Sequence, residues 1–266
     1  MFVDTRLPDG GIATAAPAPP PAEGPVARLR HYRPGSSLPR ILFYELCRYF
    51  ILSLLTLIYR FRVYGAHRLP RLGPVLVVAN HASYLDPPVL GASVRKRQLD
   101  YLARSATFKF APLGKLITLL NAISLKEGEP DTAAIKAVLR RLEEGGAVLI
   151  FPEGGRTKSG RMEKLKRGIA VLVKRARCPV VPVGVEGVFD AWPPGQLLPS
   201  VIGKRIEVAI GRPIPYEELL AAGPDAALER IGDEIDALRL SLRRRMRRET
   251  VGRYPSWGPG DLPRRR

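Results

Sequence analysis

The sequence predicts an α/β fold: a single domain with a mixed, largely parallel central sheet flanked by helices, with an apolar helix ahead of it. Three observations carry that expectation. Short apolar, β-branched runs recur along the chain, the plainest being 74–80 (PVLVVAN) and 147–151 (AVLIF). Runs of this length, bounded by Gly or Pro, mark buried strands. Segments with helical periodicity lie between them, and strands alternating with helices build α/β sheets. Polar loops follow two of the runs directly, at the sheet edge where α/β proteins bind ligands.

Residues 1–40 are rich in Pro, Ala and Gly and end in basic residues (Arg28, Arg30, Arg33, Arg40). They can bury little surface, so a disordered basic tail is expected. Their opening carries Asp4, Asp9 and a Pro/Ala tract in place of the basic end and apolar run of a secretory signal.

Residues 41–62 hold the apolar helix. The run 41–59 (ILFYELCRYFILSLLTLIY) is interrupted by Glu45 and Arg48, spaced to pair at i,i+3. The charge-free stretch 49–59 is well short of the roughly 20 residues that a spanning helix needs. Basic residues flank both ends (Arg40, then Arg60 and Arg62), so no side bias orients a span. The expectation is a helix lying in a membrane interface or dipping into one leaflet, on the cytoplasmic face. A helix of the protein core and a true span are the alternatives.

The folded domain is expected over residues 63–248. Further strand-like runs fall at 99–103, 122–125, 180–185 and 206–210. The clearest helix is 131–144, with Asp131 as its cap and Gly145-Gly146 as its stop. Others start at Asp86-Pro87-Pro88, near Arg167, at Pro215 and at Pro224-Asp225. The last runs to about 247 and ends in Arg239, Arg243, Arg244, Arg245, Arg247 and Arg248. That end reads either as a membrane-surface contact or as a solvated face. Residues 249–266 are expected to be a basic tail.

The formal charge of +18 points to an anionic partner: nucleic acid, an acidic membrane surface or a phosphorylated substrate. Nucleic acid is disfavoured, because no zinc spacing, RNA-recognition signature or helix-turn-helix is present and the apolar helix would have no use. Cys47 and Cys178 are scattered, which fits a reducing compartment. With three dispersed histidines (His31, His67, His81), no metal site is expected.

Two loops carry chemistry. In the first, 80–87 (NHASYLDP), His81 precedes Asp86 by five positions, directly after a strand. A strand-to-helix turn can bring the two side chains together. An imidazole is a fitting base for an alcohol, and a carboxylate on its other nitrogen fixes the tautomer. The competing reading makes Asp86 a helix N-cap that reaches the Val89 amide. The second loop, 151–160 (FPEGGRTKSG), also follows a strand. Its glycines admit close backbone approach, and Arg156 offers a fork suited to phosphate. Lys158, Lys164, Lys166 and Arg167 add positive charge, and Glu153 either orients Arg156 or bonds a hydroxyl of the ligand. If the two strands are parallel, both loops open on one edge.

Together the loops make the sequence resemble the glycerolipid acyltransferase family, in particular the lysophosphatidic acid acyltransferases. NHASYLD resembles its NHxxxxD motif and FPEGGRTKSG its FPEGTRS motif, in the family's order. LKRG at 165–168 and VPVGV at 181–185 resemble two weaker family blocks. The likeness covers about residues 60–215. It implies His81 as general base with Asp86 as partner. It implies acceptor binding by Glu153, Gly154 and Arg156, and phosphate or donor contacts from Lys166. The implied partners are an acyl thioester donor (acyl-CoA or acyl-carrier protein), a lysophospholipid acceptor and an anionic membrane surface, with no cofactor.

Two departures stand out. Gly155 occupies the family's usual threonine position, and Glu127 its second-motif arginine, with Lys126 beside it. Either Lys126 supplies the missing cation or the acceptor's head group differs: another lysophospholipid, or a lyso-amino-acid lipid.

Overall fold

The computed structural model describes residues 30, 32–95, 97–125 and 131–266. Among them the strands are β1 (Arg62–Tyr64), β2 (Val75–Ala79), β3 (Leu99–Arg104), β4 (Ala122–Leu125), β5 (Ala147–Ile150), β6 (Val180–Glu186) and β7 (Glu207–Ile210). The helices are α1 (Leu38–Tyr59), α2 (Asp86–Ser93), α3 (Ala111–Leu119), α4 (Asp131–Glu143), α5 (Gly168–Ala176), α6 (Val188–Ala191), α7 (Tyr216–Leu220) and α8 (Pro224–Glu249). One mixed, mostly parallel sheet forms in the order β1-β7-β6-β2-β5-β3-β4. β2 lies parallel to both β5 and β6, and β7 is antiparallel to β6. The expected strands are therefore present. β1, α3 and α6 are additional: β1 and α6 are too short for periodicity to reveal.

Side chains alternate across β2 and found two cores. Val75, Val77 and Ala79 pack with Leu55 and Tyr59 of α1, Val89 and Leu90 of α2, and Val188 and Ala191 of α6. Leu76 and Val78 pack on the other face with Val138 and Leu142 of α4, Leu172 and Val173 of α5, and Ile231 and Ile235 of α8. Every residue of β2 is buried because both faces are covered, which is why it reads as a continuous apolar run. Gly184 of β6 lets α8 approach closely, since a Cβ there would stand 2.6 Å from the Arg239 backbone nitrogen.

α1 begins at Leu38, three residues earlier than expected, with a proline in its first turn. Its charges face inward. Arg48 Nη2 lies 2.7 Å from Glu45 Oε2, both buried, and Gln98 Nε2 donates to Glu45 Oε1 at 3.2 Å. Ile41, Tyr44, Leu55 and Tyr59 pack inward with them, while the opposite side of the helix is apolar and open: Leu46, Phe50 and Leu57 are 69%, 67% and 84% exposed. α1 is long and apolar enough to cross a membrane, and among the described residues it alone meets that test.

Two expected tails are corrected where they can be seen. Residues 1–29 lie outside the described residues. Residues 32–40, however, are packed: Arg33 is buried against Asp100 at 2.6 Å, and Tyr32 O accepts the Gln98 amide. Residues 249–266 are no free tail but fold back on α8. Arg239, Arg243 and Arg247, four residues apart on one helix face, turn inward. Arg239 donates to Gly260 O and Leu262 O, Arg243 to Ser256 O, and Arg247 to Pro255 O and Ser256 O. The returning segment is rich in proline and makes few backbone pairs. Its carbonyls need donors, and guanidinium forks supply them. Glu186, Asp236 and Asp261 balance the charge. These three arginines are thus neither a membrane-surface contact nor a solvated face.

Candidate active site

Because β2 and β5 are parallel neighbours, the loops after them open on the same edge. Asn80 closes the first strand: its amide pairs with both backbone groups of Val185, at 2.9 and 2.8 Å, which ties β2 to β6. The chain then turns. His81 Nδ1 comes 2.7 Å from Asp86 Oδ2, with the imidazole 19% exposed and the carboxylate fully buried. The same Oδ2 accepts the amides of Ala82 (2.7 Å) and Ser83 (2.8 Å). The N-cap alternative does not hold. Asp86 is the first residue of α2, Leu85 stands at the cap, and the Val89 amide donates to Leu85 O. The carboxylate points back into the loop because Pro87 and Pro88 offer no amides for it to cap.

With the proton on Nδ1 facing Asp86, Nε2 is left as a free acceptor. Phe151 fixes the ring plane, stacked on the imidazole with centroids 4.0 Å apart at 15°.

The second loop is laced to the first. Glu153 Oε1 accepts the His81 amide at 2.7 Å, and Oε2 accepts that of Glu163 at 2.7 Å. The Thr157 amide returns a bond to His81 O at 2.9 Å. Expected to touch ligand or Arg156, Glu153 instead spends both oxygens on backbone. Burial pushes its pKa up to about 8, against the lowering effect of those two amides. Gly154 adopts φ 72°, and a side chain there would collide with that of Lys166. Lys166 is thereby held across the loop, its own amide bonded to Pro152 O at 2.9 Å. Gly155 has open space around it, so the family's threonine would fit.

Arg156 lies flat on Tyr84, its Cζ 3.4 Å from the ring centroid. Trp192 backs Tyr84 at 5.6 Å. The Nη1 of Arg156 is buried with no hydrogen-bond partner among the described residues. A buried guanidinium nitrogen without an acceptor suits an incoming anion. Lys126 lies outside the described residues.

The structure thus gathers His81, Asp86, Glu153, Gly154, Arg156 and Lys166 at one rim. Tyr84, Trp192 and Phe151 were not singled out from sequence, since aromatic residues next to a motif are as common in cores. A cavity of about 180 Å³ lies behind the first loop, between Asn80, Ala82, Phe189 and Trp257. His81, Asp86 and Arg156 do not line it; the His81 imidazole is partly exposed at the rim, with the Asp86 carboxylate buried behind it.

An imidazole–carboxylate pair beside an arginine, at the carboxyl edge of an α/β sheet, is an arrangement that can take a proton from a hydroxyl and hold an anion. The family model described as Acyltransferase matches residues 60–186, the stretch that contains both loops, and with the relatives that follow it supports an acyltransferase enzyme. It is 27% identical over 191 residues to the 1-acyl-sn-glycerol-3-phosphate acyltransferase of Bacillus subtilis (strain 168), covering 71% of this chain and 94% of that protein. It is 32% identical over 127 residues to the beta 1-acyl-sn-glycerol-3-phosphate acyltransferase of Homo sapiens, 47% of this chain and 45% of that one. The chain therefore spans under half of the human relative. In fold it resembles the crystal structure of the 1-acyl-sn-glycerophosphate (LPA) acyltransferase PlsC from Thermotoga maritima. The TM-score is 0.64, with 20% identity over 82% of this chain and 83% of that one.

Proposed function

We propose that this chain moves a fatty acyl group from acyl-CoA or an acyl-carrier protein to the free hydroxyl of lysophosphatidic acid, giving phosphatidic acid. The observation that carries the reading is the 2.7 Å pairing of His81 with Asp86 on the rim that also presents Arg156. The names of the relatives support the choice of acceptor. His81 Nε2 takes the hydroxyl proton as the oxygen attacks the thioester carbonyl. The tetrahedral intermediate collapses, the C–S bond breaks, and the departing thiolate takes the proton from the imidazolium. Asp86 holds the tautomer and balances the transient imidazolium charge. Arg156 and Lys166 bind the acceptor's phosphate, while Glu153 and Gly154 hold their loop in shape.

The chain works at a membrane surface, peripherally or partly inserted. The support is α1, which buries its Glu45–Arg48 ion pair and leaves Leu46, Phe50 and Leu57 exposed on its outer side, where a helix facing water carries polar residues.

The test supplies both thioester donors to the membrane-bound protein with a panel of lysolipids differing in head group. Lysophosphatidic acid should be the preferred acceptor, and His81→Ala should lower turnover by at least ~100-fold. Near-normal turnover in that variant ends the mechanism; preference for another head group ends the choice of acceptor.

A further inference from the structure

The loop between α6 and β7 has an unusual surface. Its thirteen residues from Ala191 to Gly203 (AWPPGQLLPSVIG) hold no charge, in a chain with 26% charged residues. Leu197, Leu198 and Ile202 are 88%, 74% and 90% exposed. Single exposed apolar residues are ordinary, but a cluster at the tip of one loop marks a contact surface.

The loop is held firmly at its neck. Tyr254 Oη lies 3.2 Å from Gly187 O and 2.9 Å from Arg205 O, so one hydroxyl bridges its two ends. Within it, Ser200 donates its amide to Ala191 O, and Trp192 Nε1 donates to Gln196 O. A loop with joined ends and its own internal packing presents its tip as a fixed surface.

Two junctions place that tip. At its start, Ser83 Oγ donates to Trp192 O at 2.8 Å, and the Trp192 ring backs Tyr84, on which Arg156 lies. The loop therefore borders the candidate site. At its end, the Ile206 amide donates to Tyr59 O at 3.1 Å, and the Arg62 amide to Ile206 O at 3.2 Å. The loop thus runs into the carboxyl end of α1, where Leu54 and Leu57 are exposed. α6 and α1 also cover the same face of the sheet.

We propose that residues 192–203 form a second lipid-contacting element, which sets Leu197, Leu198 and Ile202 into an anionic bilayer surface at the mouth of the site. Its continuity with the outward apolar side of α1 argues for lipid as the occupant, and to that extent the inference rests on the membrane reading above. Arg60 and Lys204, which flank the junction in sequence, and the overall charge of +18 complement an anionic surface. The arrangement lets an acceptor leave the bilayer beside Trp192 and meet Arg156 and His81 without crossing water.

The test compares the full chain with the variant Leu197→Ser, Leu198→Ser, Ile202→Ser by flotation on phosphatidylcholine–phosphatidylglycerol vesicles. These side chains are exposed, so the fold is retained, which circular dichroism checks. Losing three inserted side chains should weaken partition by at least about tenfold. Turnover of an acceptor embedded in vesicles should fall with it, while turnover of a short-chain acceptor below its micelle concentration stays unchanged. Flotation equal to wild type overturns the proposal. So does a variant that floats normally but loses activity only with acyl-carrier protein thioesters, since the loop would then dock the donor. If the wild-type chain acylates no acceptor, the proposed function fails, yet the flotation comparison still decides the loop.

Discussion

The backbone amide of His81 donates to Glu153 Oε1 at 2.7 Å, so the carboxylate of one motif holds the main chain of the other. Its second oxygen takes the Glu163 amide, and the Glu163 side chain is reached in turn by Arg265 at 3.4 Å. The position of the proposed base is thus set by the second loop as well as by its own.

That clamp carries a pH signature. A carboxyl that binds its proton more tightly in the folded chain stabilises the fold fully below the ordinary carboxylate range. The contribution is lost as pH rises through about 8, the value to which burial raises Glu153. Glu153→Gln removes this titration and sacrifices one backbone bond. The melting temperature of wild type relative to the variant should fall as pH is raised from about 5 to about 9. A constant difference across the range contradicts the assignment.

Asp86→Asn should lower kcat by at least ~100-fold with little change in KM, because an amide no longer selects the tautomer that leaves Nε2 free. Steady-state kinetics on vesicle-embedded acceptor measure this. An effect confined to KM would place Asp86 in binding.

Arg156→Lys should raise the KM for a phosphorylated acceptor roughly tenfold, since an ammonium loses both the fork and the stacking on Tyr84. Tyr84→Ala should produce a smaller rise in the same constant. With a monoacylglycerol, which has no phosphate, both penalties should vanish.

Glu186 is buried and paired with Arg239 and Arg243 at 3.7 and 2.6 Å. Glu186→Ala removes the counter-charge that Arg239 and Arg243 share, leaving them Asp236 and Asp261, and should cost about 1–3 kcal/mol of stability. Urea unfolding reads the loss, and limited proteolysis should find residues 250–266 newly accessible.

The two chemical loops were legible because strand, turn and helix are written locally: PVLVVAN before NHASYLD, and AVLIF before FPEGG. Whether they share an edge depended on β2 and β5 being parallel, a pairing between residues far apart in the chain. Glu153 was legible as a site residue but not as a clamp, since its partners are main-chain amides that carry no side-chain signature. The arginines of α8 misled for a related reason. Arg239, Arg243 and Arg247 look like a solvated charge run until the returning carbonyls of 255–262 are placed against them.

By itself, then, the sequence determined the class of fold, the strands that build the sheet and the loops that hold His81, Asp86 and Arg156. Periodicity and turn chemistry act over a few residues, and one chain read in order contains them. Only the tertiary structure decided which way Asp86 points, what Glu153 holds, and that Glu45 and Arg48 of α1 turn inward while Leu46 and Leu57 turn out. Those outcomes follow from which groups must be desolvated together, and burial is a property of the packed molecule that no local stretch of sequence records.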